Sequence, residues 1–135
     1  TRVIGELYPF GFGLSYTTFA YSDLEVFPLQ QHTQGEYAIK VNVTNTGKRA
    51  GDEVVQLYVR DKVSSVITYD SQLRGFERVS LQPGETRQVT FSLKPEDLQI
   101  LDRNMNWTVE PGEFEVMIGA SSQDIRLKKT ITALP

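Results

Sequence analysis

Hydrophobic and polar residues alternate with a period of two along most of the chain that follows residue 18. The pattern is clearest in residues 37–43 and 53–61, and it returns in residues 89–93, 114–118 and 125–131. Successive side chains of a β-strand point to opposite sides of the sheet. Each of these segments therefore predicts a strand with one buried face.

Two Pro–Gly pairs separate predicted strands, Pro83 with Gly84 and Pro111 with Gly112. Proline presets φ at the first central position of a β-turn and glycine permits a positive φ at the second, so both pairs predict turns. Only residues 95–101 (PEDLQIL) look helical, because they begin with proline and carry two acidic residues in the first turn. The chain thus predicts about seven strands and one short helical turn.

This order of elements predicts an all-β protein, an antiparallel β-sandwich of the immunoglobulin-like or fibronectin type III-like kind. The chain contains no cysteine, which excludes the Cys–Trp–Cys core of antibody domains. The longest connector, residues 61–72, is long for a hairpin loop, and such loops often carry function. We expect it either to reach another domain or to be a solvated loop.

Length and charge narrow the classes of protein and of partner. The 135 residues suit one domain. The formal net charge is −3 and lysine and arginine do not cluster, so nucleic acid and anionic membranes are poor partners. The apolar runs are too short to span a bilayer. Because the first residue is Thr1 rather than methionine, we interpret the chain as a processed protein or a piece of a longer one.

Residues 8–16 read YPFGFGLSY and follow neither a helical nor a strand period. Each aromatic ring can bury on the order of 150–250 Å², which is a large apolar surface for an irregular segment. We therefore divide the chain into an irregular aromatic-rich segment, residues 1–18, and a β-sandwich, residues 19–135. The four aromatic residues of the segment are Tyr8, Phe10, Phe12 and Tyr16.

Catalytic groups are hard to assign from the sequence. Glycoside hydrolysis usually needs two carboxylates that face each other across the bond. Most acidic residues here fall on outward strand positions or in turns, where we expect them to be solvated. Examples are Glu36, Glu53, Glu85 and Glu113. His32 is the only histidine and lies in a polar stretch, so it is predicted to be a surface residue. The sequence predicts no catalytic residue, no metal site and no cofactor.

Two aromatic residues are candidates for stacking on a sugar ring, Tyr69 and Trp107. Tyr69 lies in the 61–72 connector, where exposure is expected. Trp107 precedes a Pro–Gly pair, and packing in the core or at its rim is the favoured interpretation. A carbohydrate contact at either residue is the weaker alternative, because no row of exposed aromatic residues can be recognised.

Four stretches together resemble one known domain: LYPFGFGLSYTTF, VNVTNTGKRAGDEVVQLYV, QLRGFERVSLQPGET and VEPGEFEVMIGASSQDIRL. In order and spacing they resemble the fibronectin type III-like domain at the C-terminus of family-three glycoside hydrolases, the β-glucosidases and β-xylosidases. The resemblance spans residues 7–131. One departure is ITYDSQL, where family members commonly carry a proline, which leaves the path of that loop open.

The resemblance implies a role without chemistry of its own. In the family, the nucleophile and the general acid lie on two preceding domains, so no catalytic residue can be assigned here and the isolated chain is expected to hydrolyse nothing. Those catalytic domains would be its partners, and the aromatic residues of segment 8–16 would pack at the seam with them. The expected role is to brace the catalytic domains, with oligomerisation or shaping of the substrate-site rim as further roles.

Two other functions stay open at this stage. One is a carbohydrate-binding module that tethers an enzyme to a polysaccharide, and the other is a free-standing adhesion or scaffold module. The resemblance favours a periplasmic or secreted protein and leaves the cytoplasm open. The sugar specificity of the parent enzyme is not encoded in this chain.

Overall fold

The structure, a computed structural model, describes residues 17–62, 71–101 and 104–135. These ranges contain ten strands and one 3₁₀ helix. The strands are β1 (Phe19–Phe27), β2 (Gln30–His32), β3 (Tyr37–Asn45), β4 (Gly51–Asp61), β5 (Gln72–Leu81), β6 (Thr86–Leu93), β7 (Ile100–Leu101), β8 (Trp107–Thr108), β9 (Gly112–Ser121) and β10 (Asp124–Leu134), and the helix (Pro95–Leu98) lies between β6 and β7.

Eight of these strands form two sheets that face each other. One sheet has the order β1-β3-β6, and the other has the order β2-β10-β9-β4-β5. The two remaining strands, β7 and β8, pair with each other as a small ribbon. The all-β sandwich predicted from the alternating pattern is therefore confirmed.

One strand pair departs from the purely antiparallel arrangement that the sequence predicts. The short strand β2 runs parallel to β10, with Thr132 opposite Gln30. The chain reaches this position because it leaves the first sheet after Phe27 and joins the second within a few residues. The Thr132 N–H already donates to the Leu29 carbonyl at 2.9 Å, just before β2 begins.

The core is built from the inward-facing positions of both sheets. Along β3, alternate residues are buried, and Ile39, Val41 and Val43 have no exposed surface. Val55 and Leu57 of β4 face them from the other sheet and are 0% and 1% exposed. Burying each such side chain stabilises the fold by about 1.5–3 kcal/mol relative to leaving it exposed. The alternation seen in the sequence is thus the inner face of the sandwich.

The two Pro–Gly pairs differ in the structure. Gly84 has φ +80° in a turn between β5 and β6, closed by the Glu85 N–H donating to the Gln82 carbonyl, as predicted. Gly112 has φ +140° and is already the first residue of β9, paired with Ala133. The second pair therefore makes a bend that leads into a strand, and the prediction of a β-turn centred on Pro111 and Gly112 is wrong. Tertiary pairing with β10 decides the difference.

The predicted helical turn is present as the 3₁₀ helix that begins at Pro95. Its Asp97 carboxylate accepts a hydrogen bond from the Lys94 N–H at 2.8 Å, and the Asp97 N–H donates to the Lys94 carbonyl at 2.9 Å. Leu98 at its end is buried in the core.

Candidate functional site

The sandwich has two ends with different surfaces, and the predicted contact segments belong to different ends. The proximal end contains the start of β1, the connector between Asn45 and Gly51, the β5–β6 turn and the β9–β10 turn. The distal end contains the connections β1–β2, β4–β5 and the chain between β6 and β9. The nine residues of β3 separate the two ends by roughly 26 Å at about 3.3 Å per residue.

Residues 1–16 join the sandwich at the proximal end, because Thr17 and β1 begin there. Thr18 accepts at its carbonyl from the Thr46 N–H at 2.8 Å, and the two threonine hydroxyls lie 2.7 Å apart. This pairing holds the first described residues against the β3–β4 connector. The aromatic segment and the long connector are therefore attached at opposite ends.

Asn45 is the centre of the proximal end and is fully buried. Its side-chain oxygen accepts from the Thr17 hydroxyl at 2.7 Å and from the Gly47 N–H at 2.9 Å. Its side-chain NH₂ donates to the carbonyls of Arg49 at 2.8 Å and Leu81 at 3.0 Å. One polar side chain thus ties the chain leading into β1 to β5 and to the β3–β4 connector, and its hydrogen-bonding capacity is fully used.

Five sequence-predicted site residues lie outside the described part of the chain: Tyr8, Phe10, Phe12, Tyr16 and Tyr69. The 61–72 connector is described only at its two ends. Lys62 donates its N–H to the Glu113 carbonyl at 3.0 Å, and β5 begins at Gln72. Both anchors lie at the distal end.

Trp107 is described and is 66% exposed at the distal end, on β8. It pairs with Leu101 across the β7–β8 ribbon, and Met105, two residues before it in the chain, is 73% exposed and has φ +64°. Packing in the core or at its rim, which the sequence favoured, is not what the structure shows. Tyr58, in contrast, is only 9% exposed, so it offers little ring surface for stacking on a sugar.

A buried acidic residue was missed by the sequence reasoning. Glu53, predicted to be solvated, is partly buried between the sheets, and the Tyr21 hydroxyl donates to its Oε2 at 2.9 Å. The Arg126 guanidinium lies 5.0 Å from the centre of the Tyr21 ring and donates to the Phe19 carbonyl at 2.8 Å. The sequence contained the information needed to predict this burial. Glu53 precedes the buried Val55 by two residues, so both side chains lie on the inward side of β4.

We call Tyr21, Glu53, Asp124 and Arg126 the Glu53 cluster. Burial and the charges within it shift the pKa values of its side chains. Burial raises the pKa of Glu53, and the hydrogen bond from Tyr21 and the charge of Arg126 oppose that shift. Burial, together with Glu53, also raises the pKa of Tyr21. Arg126 lowers the pKa of Asp124 through two hydrogen bonds, at 2.8 and 3.0 Å. The cluster links β1, β4 and β10, which is a structural role.

The other polar candidates have simpler surroundings. His32 is exposed, as predicted, and so is Glu113. Among residues 17–62, 71–101 and 104–135, no three acidic or histidine side chains come together as metal ligands would. No helix within those ranges has the length and apolar character to cross a bilayer.

The sandwich matches a known domain family. A sequence profile described as the fibronectin type III-like domain matches residues 53–122, which run from β4 to the β9–β10 turn. The chain belongs to the fibronectin type III-like domain family. The resemblance read from the sequence motifs is therefore confirmed.

Relatives of this fibronectin type III-like domain are long glycosidases. The chain is 49% identical over 122 residues to a β-xylosidase of Formosa agariphila, an alignment that covers 90% of the chain and 17% of the relative. It is 43% identical over 122 residues to a periplasmic β-glucosidase of Salmonella typhimurium, covering 90% and 16%. A solved β-glucosidase of Erythrobacter marinus matches with a TM-score of 0.84 and 42% identity, covering 94% of the chain and 17% of that structure.

The fibronectin type III-like domain spans about a sixth of the length of these relatives, since 17% of the β-xylosidase is aligned. It corresponds to the fibronectin type III-like portion of such glycosidases. The prediction that the isolated domain is not an enzyme is confirmed by this identity.

Proposed function

We propose that this fibronectin type III-like domain is an accessory part of a β-glucosidase or β-xylosidase and braces its catalytic domains. The observation that carries the proposal is the pattern of coverage: 90% of the chain aligns with 17% of a β-xylosidase at 49% identity. A domain that occurs in several glycosidases, and whose described residues bring no three acidic or histidine side chains together, is expected to act through its contacts. The proposed partners are the catalytic domains of the same polypeptide.

The rigidity of the sandwich supports a bracing role. Both sheets are closed over an apolar core, and Asn45 and the Glu53 cluster lock β1 onto the rest at the proximal end. Residues 1–18 lead into this locked end. The proposed seam residues are Tyr8, Phe10, Phe12 and Tyr16, and the proposed boundary between segment and sandwich falls between residues 18 and 19. Domains that meet beside a rigid part of the sandwich move little relative to each other, which is what a bracing role requires.

Removal of the domain from a full-length enzyme tests this role. We expect the enzyme without residues 19–135 to lose activity several-fold faster on heating, while a catalytic centre that still folds keeps its nucleophile and acid. Inactivation half-lives at a fixed temperature, with kcat measured at 25 °C as a control, give the answer. Equal half-lives with and without the domain would rule out bracing.

The second candidate function is polysaccharide binding, and the exposure of Trp107 favours it. An exposed indole at the tip of a ribbon can stack on a sugar face. The chain is mixed with insoluble cellulose, xylan and chitin, with albumin as a control, and the protein left in solution is measured. Saturable depletion that Trp107→Ala abolishes would establish a binding module. Depletion equal to that of albumin would leave bracing as the proposed function.

The proposed location is the periplasm or the outside of the cell. A relative with 43% identity is named a periplasmic β-glucosidase. The chain has no cysteine, so its stability would not depend on the redox state of either compartment. A further role in oligomerisation or at the substrate-site rim belongs to the same proposal.

A further inference from the structure

Three large apolar side chains are exposed on the outer face of the five-stranded sheet. Val54 is 38% exposed, Leu73 47% and Phe76 67%. Phe76 pairs with Gln56 and Leu73 with Tyr58, so both lie on the outward side of β4 and β5. Val54 precedes Gln56 by two positions and is the diagonal neighbour of Phe76, at about 7 Å. We call these three residues the outer-face patch.

Polar groups border the patch at the proximal side. Arg78 lies opposite Val54 and forms an ion pair with Asp52, whose other oxygen accepts from the Ser80 hydroxyl at 2.8 Å. An apolar centre with a hydrogen-bonded polar border is the usual composition of a protein contact. An ordinary solvated sheet face would carry polar residues at the apolar positions as well.

The size of the patch indicates what covers it. The exposed area of three such side chains is on the order of 300 Å², or about 600 Å² when an equal area on the partner is counted. That total is below the roughly 1,000 Å² that a specific complex between separate molecules needs. A partner on the same polypeptide can use a small apolar contact, because tethering supplies an effective concentration in the millimolar range. A second copy of this domain is a poor fit for the same reason.

We propose that a catalytic domain of the same polypeptide docks on the outer-face patch, with Phe76 as the central contact. This inference rests on the proposed function, because it names the surface through which the brace acts. It adds a second contact to the aromatic segment at residues 8–16. The domain would then be attached at two places, along the outer face of β4–β5 and at the proximal end. Two attachments prevent the domain from rotating relative to the catalytic domain about either one.

The absence of cysteine makes thiol labelling a direct test. Phe76→Cys reports on the patch, and Phe27→Cys is the matched control, since Phe27 is 77% exposed at the end of β1 in the other sheet. Each variant is prepared in the 135-residue chain and in a full-length enzyme, and labelling is followed by peptide mass spectrometry. Circular dichroism confirms folding of each variant.

We expect both thiols to react at similar rates in the isolated chain. In the full-length enzyme, the thiol at position 76 should react about tenfold more slowly, because an interface excludes water and reagent from its centre, while the thiol at position 27 keeps its rate. Val54→Cys, at the margin of the patch, gives a second reading in case loss of the phenyl ring weakens docking. It should also be protected.

Other outcomes overturn the inference in distinguishable ways. Equal rates at position 76 in chain and enzyme mean that nothing docks on the patch, and the bracing role survives if removal of the domain still shortens the half-life of the enzyme. Protection at position 27 alone moves the contact to the distal end. Protection at position 76 in the isolated chain that grows with protein concentration assigns the patch to a second copy. If no site is protected and removal has no effect, the proposed function fails as well.

Discussion

The proximal and distal ends of the sandwich differ in the burial and hydrogen bonding of their side chains. At the proximal end, the chain turns between strands under a buried asparagine whose donors and acceptors are all used within the fold. At the distal end, Phe27, Met105 and Trp107 are 77%, 73% and 66% exposed. The proximal end is thus satisfied by its own residues, whereas the distal end presents apolar surface to its surroundings.

The difference shows which end of the sandwich depends on its side chains for folding stability. A buried polar residue with four hydrogen bonds makes its end rigid, because removing any partner leaves another group unsatisfied. An exposed aromatic side chain contributes little to the fold and is available to a neighbour. Substitutions at the two ends should therefore separate effects on folding from effects on binding.

The largest effect on folding is expected for Asn45→Ala at the proximal end. The change leaves the Leu81 and Arg49 carbonyls, the Gly47 N–H and the Thr17 hydroxyl without their partner. We expect a loss of about 3 kcal/mol in the free energy of unfolding, measured by urea denaturation.

The matched control for that variant is Asn42→Ala. The Asn42 side chain donates to Asp23 at the surface, at 3.0 Å. Its loss should cost no more than about 0.5 kcal/mol. Equal costs for the two variants would show that the proximal end is not held by the Asn45 network.

The two Pro–Gly pairs allow a comparison of backbone strain at opposite ends. An alanine Cβ would meet no atom within 4 Å at either Gly84 or Gly112, so only φ matters. Gly112→Ala at φ +140° should cost about 2 kcal/mol, and Gly84→Ala at φ +80° about 1 kcal/mol. The midpoints of urea denaturation of the two variants test this difference. A larger loss of stability for the Gly84 variant would contradict the assigned conformations.

The Glu53 cluster predicts a pH dependence. Because burial raises the folded pKa of Glu53 above its ordinary value of 4.5, the folded state binds more protons than the unfolded state above pH 4.5. Stability contributed by this group is therefore present below pH 4.5 and is lost as pH rises through the folded pKa. Glu53→Gln should remove that loss, so the variant gains on the wild type as pH rises from 4.5 to 7.

The measurement is the free energy of unfolding of both proteins across that range. Asp124 serves as the internal contrast, because Arg126 lowers its pKa below the ordinary 3.8. Its contribution is present above pH 3.8 and is lost only as pH falls through the lowered folded value. A difference between wild type and Glu53→Gln that does not change with pH would mean that Glu53 is solvated.

The smallest effect on folding is expected for Trp107→Ala at the distal end. With 66% of the residue exposed, the unfolding free energy should change by less than about 0.5 kcal/mol. Differential scanning calorimetry of the isolated chain checks this expectation. A cost above about 1.5 kcal/mol would show that the ribbon packs on the core, which would remove the contrast between the two ends.

Much of the fold could be predicted from local sequence. Alternating residues of β3 and β4 mark the inner face, because a period of two leaves only one way to bury them. Pro83 and Gly84 predict their turn, because their backbone preferences are intrinsic. Gly112 shows the limit of this reasoning: the same dipeptide begins a strand when β10 supplies a pairing partner.

The contact surfaces were less predictable. Motifs indicated the family, and the exposure of His32 followed from its polar neighbours. The burial of Glu53 depended on Tyr21 and Arg126, which are distant in sequence and meet it only through the packing of the two sheets. Likewise, the contact between Phe76 and its neighbours on β4 requires the register of the strand pair, and a bulge lies between Leu57 and Tyr58.

By itself, the sequence determined the class of fold, the inward positions and the family, because these depend on periodicity and on motifs carried by neighbouring residues. Only the tertiary structure decided which end each segment joins, which polar groups are buried and which apolar groups remain outside. Those properties depend on pairing between residues far apart in the chain. Such pairing is a property of the assembled sheets, which no local pattern of side chains encodes.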